Sequence, residues 1–293
     1  MLLRAARAAQ GHVHSWGPGP LALGAKRGRA VESAMARGVL LDIDGVLTTS
    51  WMPLPGAVQT IDWLRAQGID FRLMTNSSAM SRVAIATRLS SLGMSVDATD
   101  ILTAVTSAAS YLAEHHGGQR CFVLNEGDFG TDLEGVDVVG PEAAEFVLLG
   151  GAGPSLGFSE LDQVFKLLGA GVPVIALHRN THFQTRDGPT LDMGALIVGL
   201  EAAAAIDIPI VGKPAPTFFE SALSALDVVA SDAIMVGDDI GSDVIGAQAV
   251  GISGVLVRTG KFREEDLERS AAQPDHIITT IGELPDLWRL LDA

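Results

Sequence analysis

GVLLDIDGV, residues 38–46, joins a short aliphatic run to two aspartates and a glycine. A run of this kind, bounded by glycine and a polar loop, is typical of a strand buried in a parallel sheet. Alternation along an extended chain places Asp42 and Asp44 on the same side. Carboxylates so close together repel each other, and a divalent cation is the usual way to hold them. The stretch predicts a functional strand end, with an ordinary Asp-Gly turn as the alternative.

Strand-like and helix-like segments alternate outward from this run. The predicted strands cover 39–41, 69–73, 101–102, 121–124, 145–149, 172–177, 208–211, 233–236 and 254–257. The predicted helices end near 68 and 115 or cover 81–92, 159–168, 192–205, 216–226 and 241–249. This rhythm predicts an α/β fold with a Rossmann-like parallel sheet covered by helices on both faces. Functional groups of such sheets lie at the carboxyl ends of the strands.

Composition limits the classes of function. The 293 residues, at about 150 residues per domain, suggest two compact units. Lys+Arg number 20 against 35 Asp+Glu, a net charge of −15, which disfavours binding to nucleic acid and to anionic membranes. No apolar run reaches the roughly 18 residues of a membrane span. The single cysteine, Cys121, cannot form an internal disulfide, so we expect a cytoplasmic protein.

Residues 1–34 differ from the rest of the chain. They carry five basic residues and one acid, a net charge of +4, and show no sustained hydrophobic period. We expect a disordered or non-native extension, because Met35-Ala36-Arg37 precedes the first predicted strand. A transit peptide is the alternative, given the arginines and the scarcity of acids.

Two further strand ends carry groups that could bind an anion. Thr75 and Asn76 lie between a predicted strand and helix, where a hydroxyl and backbone N–H groups form an anion site or an ordinary helix cap. Lys213 lies in VGKP, residues 211–214, where Pro214 begins a helix. A lysine there reaches inward to a phosphate or remains on the surface.

A fourth segment, residues 237–243, follows the aliphatic run 233–236 and supplies three acids: Asp238, Asp239 and Asp243. Mg²⁺ prefers one or two carboxylates together with water and phosphate oxygens, so the loop suits a hard cation. The alternative is a helix start, where the helix dipole favours acidic residues.

Together the segments DIDGV (42–46), TN (75–76), VGKP (211–214) and GDDxxxD (237–243) resemble the motifs of the haloacid dehalogenase superfamily, over residues 38–293. Only 30 residues separate Asp44 from Thr75, whereas 137 separate Thr75 from Lys213. This spacing resembles subfamily IIA, the NagD-like phosphatases, whose cap domain follows the second motif. The resemblance implies a core domain at 35–116 and 208–293 and an α/β cap domain at 117–207.

The resemblance also implies a mechanism. Asp42 is expected to attack phosphorus and form an aspartyl-phosphate, while Asp44 protonates the leaving oxygen and then activates water. Mg²⁺ is expected on the Asp42 carboxylate, the Asp44 backbone carbonyl and Asp238. Asp239 and Asp243 are expected to support this metal site.

The same resemblance assigns the transferring phosphoryl group to Thr75, the Asn76 backbone and Lys213. Asp44 argues against the dehalogenating branch, which does not need an acid at that position.

The segment ALHRNTHFQTRDGPTLDMGAL, residues 176–196, occupies the position of the family's substrate segment, and we call it the cap segment. It has His182-Phe183 where paired tyrosines are typical, so substrate identity does not carry over. His178, Arg179 and His182 are candidate substrate contacts, with simple surface placement as the alternative.

The function expected is a Mg²⁺-dependent phosphatase of small phosphorylated molecules. A preference for P–O, P–N or P–O–P bonds stays open. A phosphomutase or other phosphotransferase is the first alternative, although mutases of this superfamily usually carry a small cap after the first motif. A non-catalytic binding module is the second. A homodimer is expected from the resemblance alone.

Overall fold

The computed structural model describes residues 38–153, 156–185 and 188–291. The predicted extension at 1–34 lies outside these residues. The α/β class predicted from the sequence is confirmed, because parallel sheets alternate with flanking helices along the chain. Within the described ranges, none of the helices is long and apolar enough to cross a membrane.

The strands of the described residues are β1 (Gly38–Asp42), β2 (Thr48–Thr49), β3 (Met52–Pro53), β4 (Asp70–Thr75), β5 (Ile101–Thr103), β6 (Arg120–Leu124), β7 (Asp137–Val138), β8 (Phe146–Leu149), β9 (Val174–Ala176), β10 (His182–Thr185), β11 (Gly188–Leu191), β12 (Ala233–Gly237), β13 (Ser253–Val257) and β14 (His276–Ile278). The α-helices are α1 (Ala57–Gln67), α2 (Arg82–Ser91), α3 (Ala104–His115), α4 (Phe158–Gly169), α5 (Met193–Ala204), α6 (Pro216–Leu226), α7 (Gly246–Ala249), α8 (Glu264–Arg269) and α9 (Leu284–Leu291). A π-helical turn at Ile240–Ile245 leads into α7.

The larger sheet has six parallel strands in the order β14-β13-β12-β1-β4-β5. β1 lies near its centre, and all five of its residues are buried. Val39 and Leu41 pack on one face of the sheet with α1 and α2, and Leu40 packs on the other with Phe218 of α6. Burying such an aliphatic side chain is worth about 1.5–3 kcal/mol, so helices on both faces hold this strand in register.

The smaller sheet has four parallel strands in the order β7-β6-β8-β9. The strand predicted at 208–211 is reduced to a single bridge, in which Ile210 pairs with Ala176 at the end of β9. The segment that precedes Lys213 is thus hydrogen-bonded to the end of the smaller sheet, because Gly212 N–H donates to Leu177 O at 2.8 Å. The division into 35–116, 117–207 and 208–293 stays a prediction.

Several short elements were not predicted, namely the hairpins β2–β3 and β10–β11, the strands β7 and β14, and the helices α8 and α9. The predicted helix at 241–249 is a π turn followed by one α turn. Elements of two to eight residues carry too few apolar positions for a period to be visible.

Candidate active site

The floor of the site lies where three neighbouring strands of the larger sheet end: β4, β1 and β12. Asp42 is the last residue of β1, Thr75 is the last of β4, and Asp238 directly follows β12. All three side chains are buried. Parallel strands share their carboxyl edge, and for that reason residues far apart in sequence meet here.

Lys213 joins this floor from the end of the smaller sheet. Its side chain is 3% exposed, and its ammonium contacts the Asp42 carboxylate and lies 2.7 Å from Oδ1 of Asp243. Burial alone disfavours the charge, but Asp243 and Asp42 outweigh it and raise the pKa of Lys213. The site therefore contains a permanent buried cation beside Asp42.

Asn76 fixes the backbone of Lys213. The Asn76 amide donates to Lys213 O at 2.9 Å, and Lys213 N–H donates to Asn76 Oδ1 at 2.8 Å. A Cβ on Gly212 would lie 2.5 Å from Asn76 Oδ1, so this close approach requires glycine. The Asn76 side chain thus holds Lys213, and its backbone remains the predicted phosphate contact.

Three buried carboxylates, those of Asp42, Asp238 and Asp243, offer oxygen atoms within 4.8 Å of one another. Burial raises the pKa of Asp238 well above its usual value, and Asp42 and Asp243 add to the shift. Burial also raises the pKa of Asp243 to about 6, against the effect of Lys213. The cluster holds more negative charge than one lysine balances, and carboxylate oxygens are the donors that Mg²⁺ prefers.

The acidic loop after β12 contains Asp239 and Asp243, whose support of a metal site stays a prediction. Asp243 is 1% exposed, and its Oδ2 accepts a hydrogen bond from Asp239 N–H at 3.1 Å. The Asp239 side chain accepts from Gly241 N–H and Ser242 N–H, each at 3.0 Å, and so caps the π turn. Asp243 thus lies in the same carboxylate cluster as Asp42 and Asp238.

Asp44 differs from the buried acids because it is exposed to solvent. The surrounding protein still removes hydration and raises the pKa of Asp44, while Lys261 and Lys213 oppose the shift. Among the described residues, the Asp44 carboxylate is not part of the three-carboxylate cluster. An accessible acid with a raised pKa suits proton transfer.

Gly260 and Lys261, which follow β13, belong to the site but were not predicted from the sequence. Lys261 N–H donates to Asp238 Oδ2 at 2.6 Å. A Cβ on Gly260 or on Gly45 would lie 1.9 Å from the same oxygen, and both glycines have positive φ. Glycine is required there by both backbone conformation and space. A signal does exist in the sequence, since residues 259–261, Thr-Gly-Lys, lie one residue beyond the predicted strand at 254–257.

A cleft of about 210 Å³ lies above this floor, between the cap segment and the loops of the larger sheet. Its walls are formed by Arg179, Asn180, Thr181, His182, Lys213, Pro214, Asp239, Ser242 and Lys261. The structure thus brings two of the three predicted cap contacts, Arg179 and His182, to the same cleft as Lys213.

His178 is placed differently from the other two cap residues. Its ring is 3% exposed, its Nδ1 accepts from Asn180 N–H at 3.3 Å, and its Nε2 lies 3.8 Å from Asp192 Oδ2. Burial lowers the pKa of His178, while Asp192 opposes the shift. Among the residues described, His178 does not line the cleft. A neutral His178 therefore supports the loop that carries Arg179.

A second, larger cavity of about 330 Å³ borders α3, α6 and residues 130–134. Within the described part of the chain, none of the predicted site residues lines it. Its Arg82 is held by Asp132, whose carboxylate accepts from Arg82 N–H at 2.8 Å and Nε at 3.1 Å. The smaller cleft, in contrast, is lined by four of them: Arg179, His182, Lys213 and Asp239.

Family models match two parts of the chain. A model of haloacid dehalogenase-like hydrolases matches residues 39–139, and a HAD-hydrolase-like model matches residues 210–284. The phospholysine phosphohistidine inorganic pyrophosphate phosphatase of Homo sapiens is 34% identical over 260 residues, which are 87% of this chain and 94% of that protein.

Solved structures show the same fold. A p-nitrophenyl phosphatase from Archaeoglobus fulgidus has a TM-score of 0.80 and 28% identity over 86% of this chain and 99% of its own. A glycerol phosphate phosphatase from Mycobacterium tuberculosis, in complex with magnesium, has a TM-score of 0.77 and 25% identity over 86% of this chain and 77% of its own. The family predicted from the motifs is thus confirmed: the chain belongs to the haloacid dehalogenase-like hydrolases and is a phosphatase of that family.

Proposed function

We propose that the chain is a Mg²⁺-dependent phosphatase of small phosphorylated molecules, and that the phosphoryl group passes through Asp42. The observation that carries the proposal is the buried contact of the Lys213 ammonium with Asp42, beside the carboxylates of Asp238 and Asp243. A nucleophile, a permanent cation and a cation-binding acid cluster stand together at the end of one sheet. This combination suits phosphoryl transfer, which depends on positioning and charge neutralisation.

The donor set fits a divalent cation. Asp238 and Asp243 have raised pKa values because burial and neighbouring carboxylates disfavour their charge, and a bound cation would relieve both effects. In the proposal Mg²⁺ is held by the Asp42 carboxylate, the Asp44 backbone carbonyl and Asp238. When bound, it supplies positive charge to the phosphoryl oxygens.

The first step uses Asp42 and Asp44. Thr75, the Asn76 backbone and Lys213 bind the phosphoryl oxygens and hold phosphorus in line with the Asp42 carboxylate. A carboxylate oxygen of Asp42 forms the new bond to phosphorus while the bond to the leaving oxygen breaks. Asp44 donates its proton to that oxygen, which departs as an alcohol.

The second step returns the enzyme to its starting state. Asp44, now ionised, takes a proton from a water molecule that attacks the phosphorus of aspartyl-phosphate. The bond from Asp42 to phosphorus breaks, and phosphate leaves with the proton back on Asp44. The raised pKa of Asp44 matches a group that must hold a proton in one step and release it in the other.

The test measures phosphate release from a panel of phosphorylated metabolites and from p-nitrophenyl phosphate, with Mg²⁺ or with EDTA. We expect turnover with Mg²⁺ and its loss in EDTA. Asp42→Asn should reduce turnover roughly 10³-fold or more, since the nucleophile is removed. Asp62→Asn, an exposed aspartate of α1, is the matched control and should turn over like the wild type.

Two outcomes count against the proposal. Equal turnover with Mg²⁺ and with EDTA would show that the reaction does not require a metal ion. Transfer of the phosphoryl group to an added sugar phosphate, without net release of phosphate, would indicate a mutase.

Three broader expectations remain part of the proposal. The core domain is assigned to 35–116 and 208–293 and the cap domain to 117–207. The spans of the two sheets support this assignment, because the larger has strands only before 104 and after 232 in the described residues. A homodimer and a cytoplasmic location are proposed from the resemblance and from the single cysteine.

A further inference from the structure

Three cations and one carboxylate line the cleft of about 210 Å³ between the cap segment and the larger sheet: Arg179, Lys213, Lys261 and Asp239. Two of the cations already have close anionic partners. The Lys213 ammonium contacts two buried carboxylates, and the Arg179 guanidinium contacts Glu201. Among the described residues, the third cation has a longer ion pair, with Asp239, and is therefore the one most open to a ligand.

Lys261 is that third cation. Its Nζ lies 3.8 Å from Oδ2 of Asp239, which is longer than a hydrogen bond, and it donates no hydrogen bond within the described ranges. Its backbone is fixed, because its N–H donates to Asp238 at 2.6 Å and Gly260 packs against Gly45. The ammonium can thus bind a ligand without movement of the loop that carries it.

The position of Lys261 relates to the leaving group. Lys213 contacts the proposed nucleophile Asp42 on the floor of the site, where the phosphoryl group is expected to bind. The leaving group must then extend from the floor into the cleft, and Lys261 lines that cleft together with Arg179 and His182 of the cap segment. Lys261 is therefore placed to meet the leaving group.

We propose that Lys261 binds a second anionic group, a carboxylate or a phosphate, carried by the leaving group of the substrate. The inference rests on the proposed phosphatase function and names its substrate class, small phosphate esters of an alcohol that bears another acid. The cleft volume of about 210 Å³ lies below the roughly 300–1,000 Å³ of typical small-molecule pockets, so we expect a small leaving group.

The test compares three alkyl phosphates that share a three-carbon chain: propyl phosphate, 2-carboxyethyl phosphate and 1,3-propanediol bisphosphate. Phosphate release with Mg²⁺ gives kcat/KM for the wild type, Lys261→Gln and Lys261→Arg. We expect the wild type to prefer the substrates with a second anion by about 10- to 100-fold, as for a charge-assisted hydrogen bond. The substrate with the larger preference over propyl phosphate shows whether the second anion is a carboxylate or a phosphate.

Lys261→Gln should abolish most of this preference, and Lys261→Arg should keep it. Lys166→Gln, on the exposed side of α4, removes a lysine paired with Asp162 and should leave the ratio unchanged. If Lys261→Gln did not fold, the wild-type ratio and Lys261→Arg would still decide the question.

The proposal is overturned if the wild type shows no preference, or if Lys261→Gln lowers kcat/KM for all three substrates by the same factor. Uniform loss would make Lys261 only a counter-ion of Asp238 and Asp239. If the wild type released phosphate from none of these substrates and none from p-nitrophenyl phosphate, the proposed function itself would fail.

Discussion

On the floor of the site, Asp42, Lys213 and Asp243 are at most 7% exposed, and the one ammonium pairs with both carboxylates. On the wall of the cleft that the cap segment forms, the Arg179 side chain is 41% exposed and His182 is also exposed. The floor cannot change without leaving a buried charge unpaired, whereas the wall can change at little cost in stability. We therefore expect the floor to determine the reaction and the wall to determine which substrates are preferred.

The largest expected effect comes from removing the cation of the floor. Lys213→Met leaves Asp42 and Asp243 without their partner, so we expect a loss of about 3–5 kcal/mol in unfolding free energy and loss of turnover. Lys166→Met on α4, whose pair with Asp162 is exposed, should cost about 0.5 kcal/mol or less. Urea unfolding of both variants measures the difference. Equal costs would show that the floor is no more constrained than the surface.

Metal removal tests the carboxylates of the floor. At about 100 times its dissociation constant, Mg²⁺ should raise Tm by roughly 5–10 °C relative to EDTA. Asp238→Asn should reduce this rise, and Asp62→Asn should not. The pKa of Asp243 is raised to about 6, so protons should compete with Mg²⁺ and weaken the effect as pH falls through 6. Thermal unfolding at several pH values checks this, and a rise that grew at lower pH would contradict it.

Two histidines of the cap segment allow a second comparison of a buried side chain with an exposed one. His178→Ala removes a buried ring that accepts from Asn180 N–H, and we expect it to cost about 1–3 kcal/mol. His182→Ala, on the exposed wall, should change stability by about 0.5 kcal/mol or less but alter relative kcat/KM among substrates. Denaturant titration and a substrate panel give both readouts. If His178→Ala were the milder change in stability, the support assigned to its ring would be wrong.

The sequence predicted the floor well for a physical reason. Buried parallel strands are short aliphatic runs, so β1 and β12 were recognisable, and strand ends of one sheet must meet. Both strand ends were therefore expected at the same edge of the sheet, and the structure brings the Asp42 and Asp238 carboxylates together there. The outcome was different for Ile210, which was expected in its own strand but pairs with Ala176. Local pattern shows that a segment is extended, while its partner is set by tertiary packing.

The wall of the cleft was harder to predict. Lys261 reaches the site because Gly260 packs on Gly45, a contact between residues more than 200 positions apart that leaves no local period. His178 and His182 have similar sequence surroundings, yet one is buried and the other exposed. Their difference arises from Asp192 and the loop at 179–182, which only the folded chain brings together.

The most direct test of the central claim separates the two aspartates of the first motif by rapid-quench kinetics. Asp42→Asn should form no phosphoenzyme with any substrate. Asp44→Asn should lose about 10²–10⁴-fold on alkyl phosphates, because an alkoxide needs a proton, but should react more readily with p-nitrophenyl phosphate. It should then accumulate phosphoenzyme after a burst of nitrophenol, since the second step lacks its base. A burst from Asp42→Asn and none from Asp44→Asn would reverse the two roles and contradict the account.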